Sequence, residues 1–461
     1  MSKQTVPLLL TWLLLSITIL TSLFYPVPVY AKTLRVPQEY STIQAAINAA
    51  HKGDIIQVSN RTYYENVIIN KEIKLIGEDK TITIIDCQQY GDVIRVDVDS
   101  VTITGFTIRN GDNGIRVDAG IGSINVTDNI IKNNRYGISL LGDATTSTTD
   151  NIIVDNTFEN ISNVSISMIN GLSNTISQND ISGSAYGIKL TLTDTTTISN
   201  NLLTSNSYCI YMNRCTNNNV INNTVIDNSF GIYAAYSDNI LIRNNRVSGS
   251  TYAIQLYGSH SSTISYNTAS DNPTYSIYLA YSNTTSVANN TVLRNDWGIT
   301  LYNSTLNTFD GNIISYNTFG ITTTLSPDNI IHRNDFVDNV DQITRDWKSI
   351  NTWSQNGRGN YWSDYQGVDD GSEGRPEGDG VGDTLIPHLG EDNHPLMNPV
   401  HMLGDVDGDG DVDRYDYGLF AGAYGTSEGD PDFDPRCDFD DDADVDRYDY
   451  GILAQNYGMG T

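Results

Sequence analysis

The feature that most limits what this chain can fold into is a short motif that returns every 22 residues. An aromatic residue, a small residue and then isoleucine recur as Tyr136-Gly137-Ile138, Tyr186-Gly187-Ile188, Tyr208-Cys209-Ile210 and Phe230-Gly231-Ile232. The series continues as Tyr252-Ala253-Ile254, Tyr275-Ser276-Ile277, Trp297-Gly298-Ile299 and Phe319-Gly320-Ile321. From Ile188 onward the interval is 22 residues, with a single 23. A second column keeps step: Asn179, Asn201, Asn223, Asn245, Asn267, Asn290, Asn312 and Asn334, begun at looser spacing by Asn129 and Asn156. Two columns in phase over so many repeats require a coil whose turns stack on one another.

A parallel β-helix satisfies that requirement. Its turns lie about 4.8 Å apart, so equivalent residues sit directly above one another. A buried asparagine then donates its amide to the next asparagine and accepts from the previous one. The small residue before isoleucine is expected to let the chain turn sharply into the next strand. Runs such as Val220-Ile221 and Ile240-Leu241-Ile242 supply strands with an apolar inside and a polar outside, and helical periodicity is absent through residues 55–340. Residues 32–345 predict a right-handed coil of about 14 turns, roughly 65 Å long.

A stacked rod needs its ends covered. Ser41-Thr42-Ile43-Gln44 reads as a capping box, Ile43, Ala46, Ile47 and Ala50 as an apolar stripe, and Gly53 as the helix stop. Strands are expected at 55–58, 67–69 and 73–76. Before the rod, Lys3, the apolar stretch from Val6 to about Phe24, and Val29-Tyr30-Ala31 read as a signal peptide over residues 1–31, with a retained anchor as the alternative. The mature chain is then expected outside the cytoplasm, secreted or at a cell surface. Cys87, Cys209, Cys215 and Cys437 are too scattered for a disulfide scaffold, and Cys209, on the small-residue column, reads as a buried free thiol.

Counting outward from the motif isoleucine, which faces inward, places Tyr211, Tyr233, Gln255, Tyr278 and Thr300 on the outer surface. Tyr257 and Tyr302 lie two residues further on, with Tyr236 and Tyr281 one beyond. Stacked tyrosines make a shallow aromatic strip suited to a polysaccharide chain laid lengthwise, or simply brace one another across strands. Support for catalysis is thin. Lyase chemistry needs a cation beside a basic proton acceptor, and hydrolase chemistry needs flanking carboxylates. Asp238, Asp271, Asp296 and Arg243 instead fall singly in turns. Six His and six Met form no cluster with copper-ligand spacing.

The segment from Ser41 to Gly77, with the asparagine repeats behind it, resembles the pectin-lyase-like superfamily. It is most similar to the β-helix proteins related to NosD, a copper-enzyme maturation protein, and to carbohydrate-binding and sugar-hydrolase (CASH) domains. Gly359-Asn360-Tyr361-Trp362-Ser363-Asp364-Tyr365, then Gly378-Asp379-Gly380-Val381-Gly382-Asp383 and His394-Pro395-Leu396-Met397 resemble the closing segment of archaeal members. The resemblance implies the fold over most of residues 33–400 and leaves the activity open, because lyases, hydrolases, epimerases and non-enzymes share it.

Net charge is −29, and residues 404–461 carry 17 acidic and 3 basic residues, a net of −14. Such a balance repels nucleic acid and attracts cations. The acids are not randomly placed. Asp405, Asp407 and Asp409 stand at positions 1, 3 and 5 of a calcium loop, Gly410 at 6, Asp411 at 7, Asp413 at 9 and Asp416 at 12. Thirty-three residues later Asp438, Asp440, Asp442, Asp444, Asp446 and Asp449 repeat the pattern, with Ala443 in place of the glycine. Two calcium ions are therefore expected, the second held more weakly. A loop followed by an exiting helix, with no entering helix and Asp at position 12, resembles type I dockerin. That resemblance implies a cohesin-like partner met by Arg414, Tyr415, Arg447 and Tyr448. Between rod and module, over residues 346–403, Asp369, Asp370, Asp379 and Asp383 stand among glycines and read either as a third calcium loop or as an acidic linker.

The function expected from these features is a surface protein whose rod binds polysaccharide or acts as a scaffold while the calcium domain docks it. Rival readings are a polysaccharide lyase, hydrolase or epimerase carried on a dockerin, and metal delivery of the NosD kind.

Overall fold

The computed structural model describes residues 31–143, 145–401, 404–407, 412–427, 429–434, 436–439 and 444–458. The signal-peptide reading therefore lies almost wholly outside the described residues, as do Asp409, Asp411, Asp440 and Asp442.

Each turn of the rod has three strands. Thr197–Ser199, Leu202–Thr204 and Tyr208–Asn213 form one turn, and Asn219–Ile221, Thr224–Ile226 and Phe230–Ala235 form the next. Stacking in parallel register (Ile198↔Val220, Leu203↔Val225, Ile210↔Ile232) builds three long sheets of 14, 14 and 13 strands. The inward residues make one apolar core running from Leu34 to Trp362.

The asparagine column is a continuous hydrogen-bonded ladder at the bend between the first two strands. Its rungs are Asn129, Asn156, Asn179, Asn201, Asn223, Asn245, Asn267, Asn290, Asn312, Asn334 and Asn360. Each Nδ2 donates to the next Oδ1 over 2.8–3.1 Å. The same amide closes the bend: Asn223 Nδ2 also donates to the Ile221 carbonyl at 3.1 Å. The residue just before each rung from Asn129 to Asn334 holds a left-handed backbone (φ 55° at Asn200, 56° at Asn222, 56° at Tyr266), which the amide secures despite its steric cost.

The small-residue column has a different cause from the one expected. Gly187 and Gly231 are not among the positive-φ glycines. A Cβ there would meet the carbonyl oxygen of Cys209 at 2.7 Å or of Ala253 at 2.5 Å. Close stacking of turns, not backbone freedom, excludes larger side chains.

At the N-terminal end helix α1 (Ile43–Ala49) buries Ile43, Ala46 and Ile47. Its cap is Thr42 rather than Ser41: Thr42 Oγ1 accepts from Ala45 N at 3.1 Å. The other open amides, Ile43 N and Gln44 N, donate to the Glu65 carboxylate at 3.0 Å. The helix stops at Ala50, before Gly53. Strands at 55–58 and 67–69 stand as expected, and the third runs Lys74–Gly77.

At the other end the rod continues past residue 345 through strand Tyr361–Trp362. Asp392 terminates the ladder by accepting from Asn360 N (2.7 Å), Trp362 Nε1 (3.0 Å) and His394 N (2.8 Å). Burial raises its pKa, against those same hydrogen bonds. Beyond it, helices α2 (Arg414–Ala423) and α3 (Arg447–Asn456) enclose a second, separate core of Val406, Val412, Phe420, Ala423, Cys437, Val445 and Leu453. All four cysteines are buried free thiols.

Candidate functional sites: an aromatic face and two acidic loops

The 13-stranded sheet, from Val67–Ile69 to Asp341–Arg345, carries the aromatic surface. Strand pairing gives its central outward column in register as Arg95, Arg116, Ser139, Ser167, Lys189, Tyr211, Tyr233, Gln255, Tyr278, Thr300 and Thr322. Tyr211 and Tyr233 meet edge-on at 5.5 Å. Tyr257 and Tyr302 stand on a parallel column, joined by the turn residue Tyr281 at 5.5 and 5.4 Å.

A third column belongs to the same face. The aromatic residue of the repeated motif also points outward, and its rings stack into a continuous series. Tyr186–Tyr208 centroids are 4.9 Å apart, Tyr208–Phe230 4.5 Å, Phe230–Tyr252 4.7 Å, Tyr252–Tyr275 5.5 Å, Tyr275–Trp297 5.7 Å and Trp297–Phe319 4.3 Å. Simple alternation hides this. The small residue occupies the bend between the outward ring and the inward isoleucine, so two successive residues turn away from solvent.

Burial among these rings pushes the Tyr233 hydroxyl up to about 12 and raises Tyr211 and Tyr278. A hydrogen bond with Tyr236 raises Tyr257. The face is thus one of neutral hydroxyls, able both to donate and to accept. Between the rings, Gln255 Oε1, Thr300 Oγ1 and Thr322 Oγ1 are shielded and have no hydrogen-bond partner among the described residues. Of the charges that fall singly in turns, Asp271 holds Arg294 at 2.8 Å, Asp238 accepts from His260 N at 2.7 Å, and Arg243 lies 4.9 Å over the Tyr266 ring.

The C-terminal loops form the second candidate site. Oxygens of Asp405, Asp407 and Asp416 come within 4.8 Å of one another, and so do those of Asp444, Asp446 and Asp449. Asp416 and Asp449 are fully buried. Asp416 accepts from Val406 N (2.6 Å) and Asp413 N (2.7 Å), while Asp449 accepts from Phe439 N (2.5 Å) and Asp446 N (2.8 Å). The capping carboxylates of the two helices are therefore drawn back over their own loops. Oxygens around one calcium ion, each about 2.3–2.6 Å from it, span distances of this size. Three converging carboxylates repel one another unless a cation lies among them.

The halves also interlock symmetrically. Gly425 N donates to the Val445 carbonyl and Gly458 N to the Val412 carbonyl, both at 2.7 Å. Arg414 lies 4.8 Å over the Tyr415 ring and Arg447 4.7 Å over Tyr448, so both pairs are presented alike. The acidic stretch near Asp379 is arranged differently. Asp369 accepts from Gly378 N (2.6 Å) and Gly380 N (2.8 Å), and Asp383 from Asp370 N (3.0 Å) and Gly371 N (2.6 Å). Asp370 Oδ1 accepts from Ser372 N at 3.0 Å, and Asp379 Oδ1 from Val381 N at 3.0 Å. These carboxylates pin a glycine-rich loop, and among the described residues they form no three-ligand group.

Residues 209–367 match the family model of the periplasmic copper-binding protein NosD, and residues 45–203 and 122–264 match that of the right handed beta helix region. The rod is a right-handed parallel β-helix. A mannuronic acid specific polysaccharide family 6 lyase from human gut microbiota shares this architecture. It is 12% identical, with 72% of this chain and 86% of the lyase covered and a TM-score of 0.52. The A-module of the Azotobacter vinelandii mannuronan C-5 epimerase AlgE6 is 14% identical over 68% of this chain and 95% of its own, with a TM-score of 0.49. At these identities the likeness concerns the β-helix alone. No curated protein matches the chain. Among the described residues no helix is long and apolar enough to cross a membrane.

Proposed function

We propose that the β-helix is a glycan-binding rod of an exported surface protein, and that the C-terminal module is a calcium-dependent, dockerin-like docking unit. The observation that carries the first half is the threefold aromatic face. Its rings offer apolar surface to sugar C–H groups, and its neutral tyrosine hydroxyls offer hydrogen bonds without charge. A linear chain suits it because equivalent contacts repeat at the rise of one turn. The second half is supported by the paired carboxylate triads and by the symmetric Arg-Tyr pairs Arg414-Tyr415 and Arg447-Tyr448. In this reading a cation-dependent core supports two equivalent contact surfaces for a cohesin-like partner.

The deciding experiment incubates the protein with a panel of polysaccharides in calcium and scores both retention and chain length. Retention with intact chains is the expected outcome. Shortened chains would replace binding with catalysis.

A further inference from the structure

The stacked ring series has one missing rung. Val164 stands in register with Tyr136 on one side and Tyr186 on the other, where every later turn through Phe319 presents an aromatic ring. In the adjoining column the same stretch carries only Ser139 and Ser167. The result is a hollow of about 570 Å³ lined by Tyr136, Val164, Ser167, Tyr186, Lys189 and Tyr211, among others. That volume lies within the range of small-ligand sites.

Its polar groups are fixed in place. Ser139 is 3% exposed and donates to Asn113 Oδ1 at 2.7 Å, and Asn113 Nδ2 donates to Asp92 Oδ1 at 2.7 Å. Asn163 Nδ2 donates to the Tyr136 hydroxyl at 3.0 Å. Lys189 Nζ lies 4.7 Å from the Tyr186 ring centroid. The neighbouring cations are committed: Arg95 to Asp97 and Asp118, Arg116 to Asp92 and Asp118, and Arg135 to Asp112. Among the described residues no carboxylate lies within 4.0 Å of the Lys189 ammonium. A half-buried lysine beside an aromatic hollow, in a chain of net charge −29, marks a place where the surface departs from neutral recognition.

We propose that this hollow is a subsite that seats one sugar ring in place of the missing rung and pairs an anionic substituent of that ring with Lys189. The proposal rests on the reading of this face as a glycan surface and adds what that reading lacks, a point that distinguishes acidic from neutral chains.

The test is calorimetric titration of the full chain with three oligosaccharides of equal length: a uronate, its carboxyl-reduced neutral counterpart, and a sulfated form of the neutral one. The native protein is expected to prefer an anionic ligand over the neutral one by about tenfold or more, the usual scale of a charge-assisted contact. Whether the uronate or the sulfated ligand is preferred identifies the substituent. Lys189→Gln is expected to abolish the preference, Lys189→Arg to retain it, and Val164→Tyr, which rebuilds the rung, to abolish it by closing the hollow. Tyr278→Ala, four turns away, is expected to weaken all three ligands alike and leave the preference intact. Unchanged preference in Lys189→Gln, or none in the native protein, overturns the subsite while leaving the strip standing. An effect of Lys189 without any effect of Tyr278 overturns the strip instead. No binding by any ligand overturns both.

Discussion

The β-helix and the C-terminal module face the same problem at their bends, open backbone N–H groups, and meet it with side-chain oxygens of different charge. In the rod Asn223 N donates to Asn245 Oδ1 at 2.9 Å. In the module Val406 N donates to Asp416 Oδ1 at 2.6 Å. An amide accepts on one side and donates on the other, so the device repeats turn after turn without adding charge. A carboxylate only accepts. It closes one loop, brings a negative charge to a buried place, and leaves that charge to be balanced. Asp392 stands between the two cases, a single carboxylate that ends the neutral ladder. The proposed function therefore predicts a rod whose stability is indifferent to ions and a module whose stability depends on bound cations.

The strongest way to break that contrast is to remove the cation. Chelation is expected to abolish the cooperative unfolding of the module, since metal binding and folding are linked in such small domains, and to leave the β-helix transition unmoved. Circular dichroism melts with and without chelator check this, and a rod transition that moves with the module's would erase the distinction. A mid-ladder substitution ranks next. Asn245→Leu leaves Asn223 N and Nδ2 without their acceptor in a buried site and is expected to cost the rod about 3 kcal/mol in denaturant unfolding. A loss below about 0.5 kcal/mol would mean the ladder only decorates the stack.

A smaller effect separates the two halves of the module. Restoring glycine at position 6 of the second loop, Ala443→Gly, is expected to tighten that site by about 1 kcal/mol, roughly fivefold. Titration showing two equal sites in the native chain would contradict it. The smallest effect concerns acid. Hydrogen bonding from Arg294, against burial, holds the Asp271 carboxyl below its ordinary value. Its contribution is therefore complete above the unfolded value of 3.8 and disappears as pH falls through the lowered one. Asp271→Asn should flatten that part of the acid limb of the rod by lowering neutral-pH stability slightly, and leave stability below the lowered value nearly unchanged.

The rod was legible because stacking places equivalent residues in one column, and a column that must be Asn shows in the sequence. Neighbouring ladders were not legible, although they use the same bond. Ser237, Ser259, Ser282, Ser304 and Ser326 form one. Asn272, Asn295, Asn317 and Asn339 form another, with Asn206, Asn228 and Ser250 leading into it. The first keeps its letter for only a few turns and the second changes letter at Ser250, so neither stands out in a chain rich in Ser and Asn. The left-handed bends left no mark either, because Asn200, Tyr266 and Arg333 enter them alike. Thr42 was missed as the cap of α1 because a local pattern favours Ser41, and Glu65, which takes the Ile43 and Gln44 amides, lies more than 20 residues away. In the aromatic face the positions of Tyr211, Tyr233, Tyr257, Tyr278 and Tyr302 followed from alternation. The ring series from Tyr186 to Phe319 did not, because the small residue at the bend breaks the alternation. The calcium-loop spacing was plain in the sequence, whereas the interlock of Gly425 with Val445 and Gly458 with Val412 depends on the tertiary pairing of the halves.

Retention of the full chain on the polysaccharide that binds it best, measured in calcium and again in chelator, tests the division of labour most directly, with Tyr208→Ala, Tyr233→Ala and Tyr278→Ala variants alongside. Retention is expected to survive chelation unchanged and to fall about three- to tenfold for each ring removed. Retention lost on chelation but unaffected by the three tyrosine substitutions would place glycan binding in the module and contradict the account.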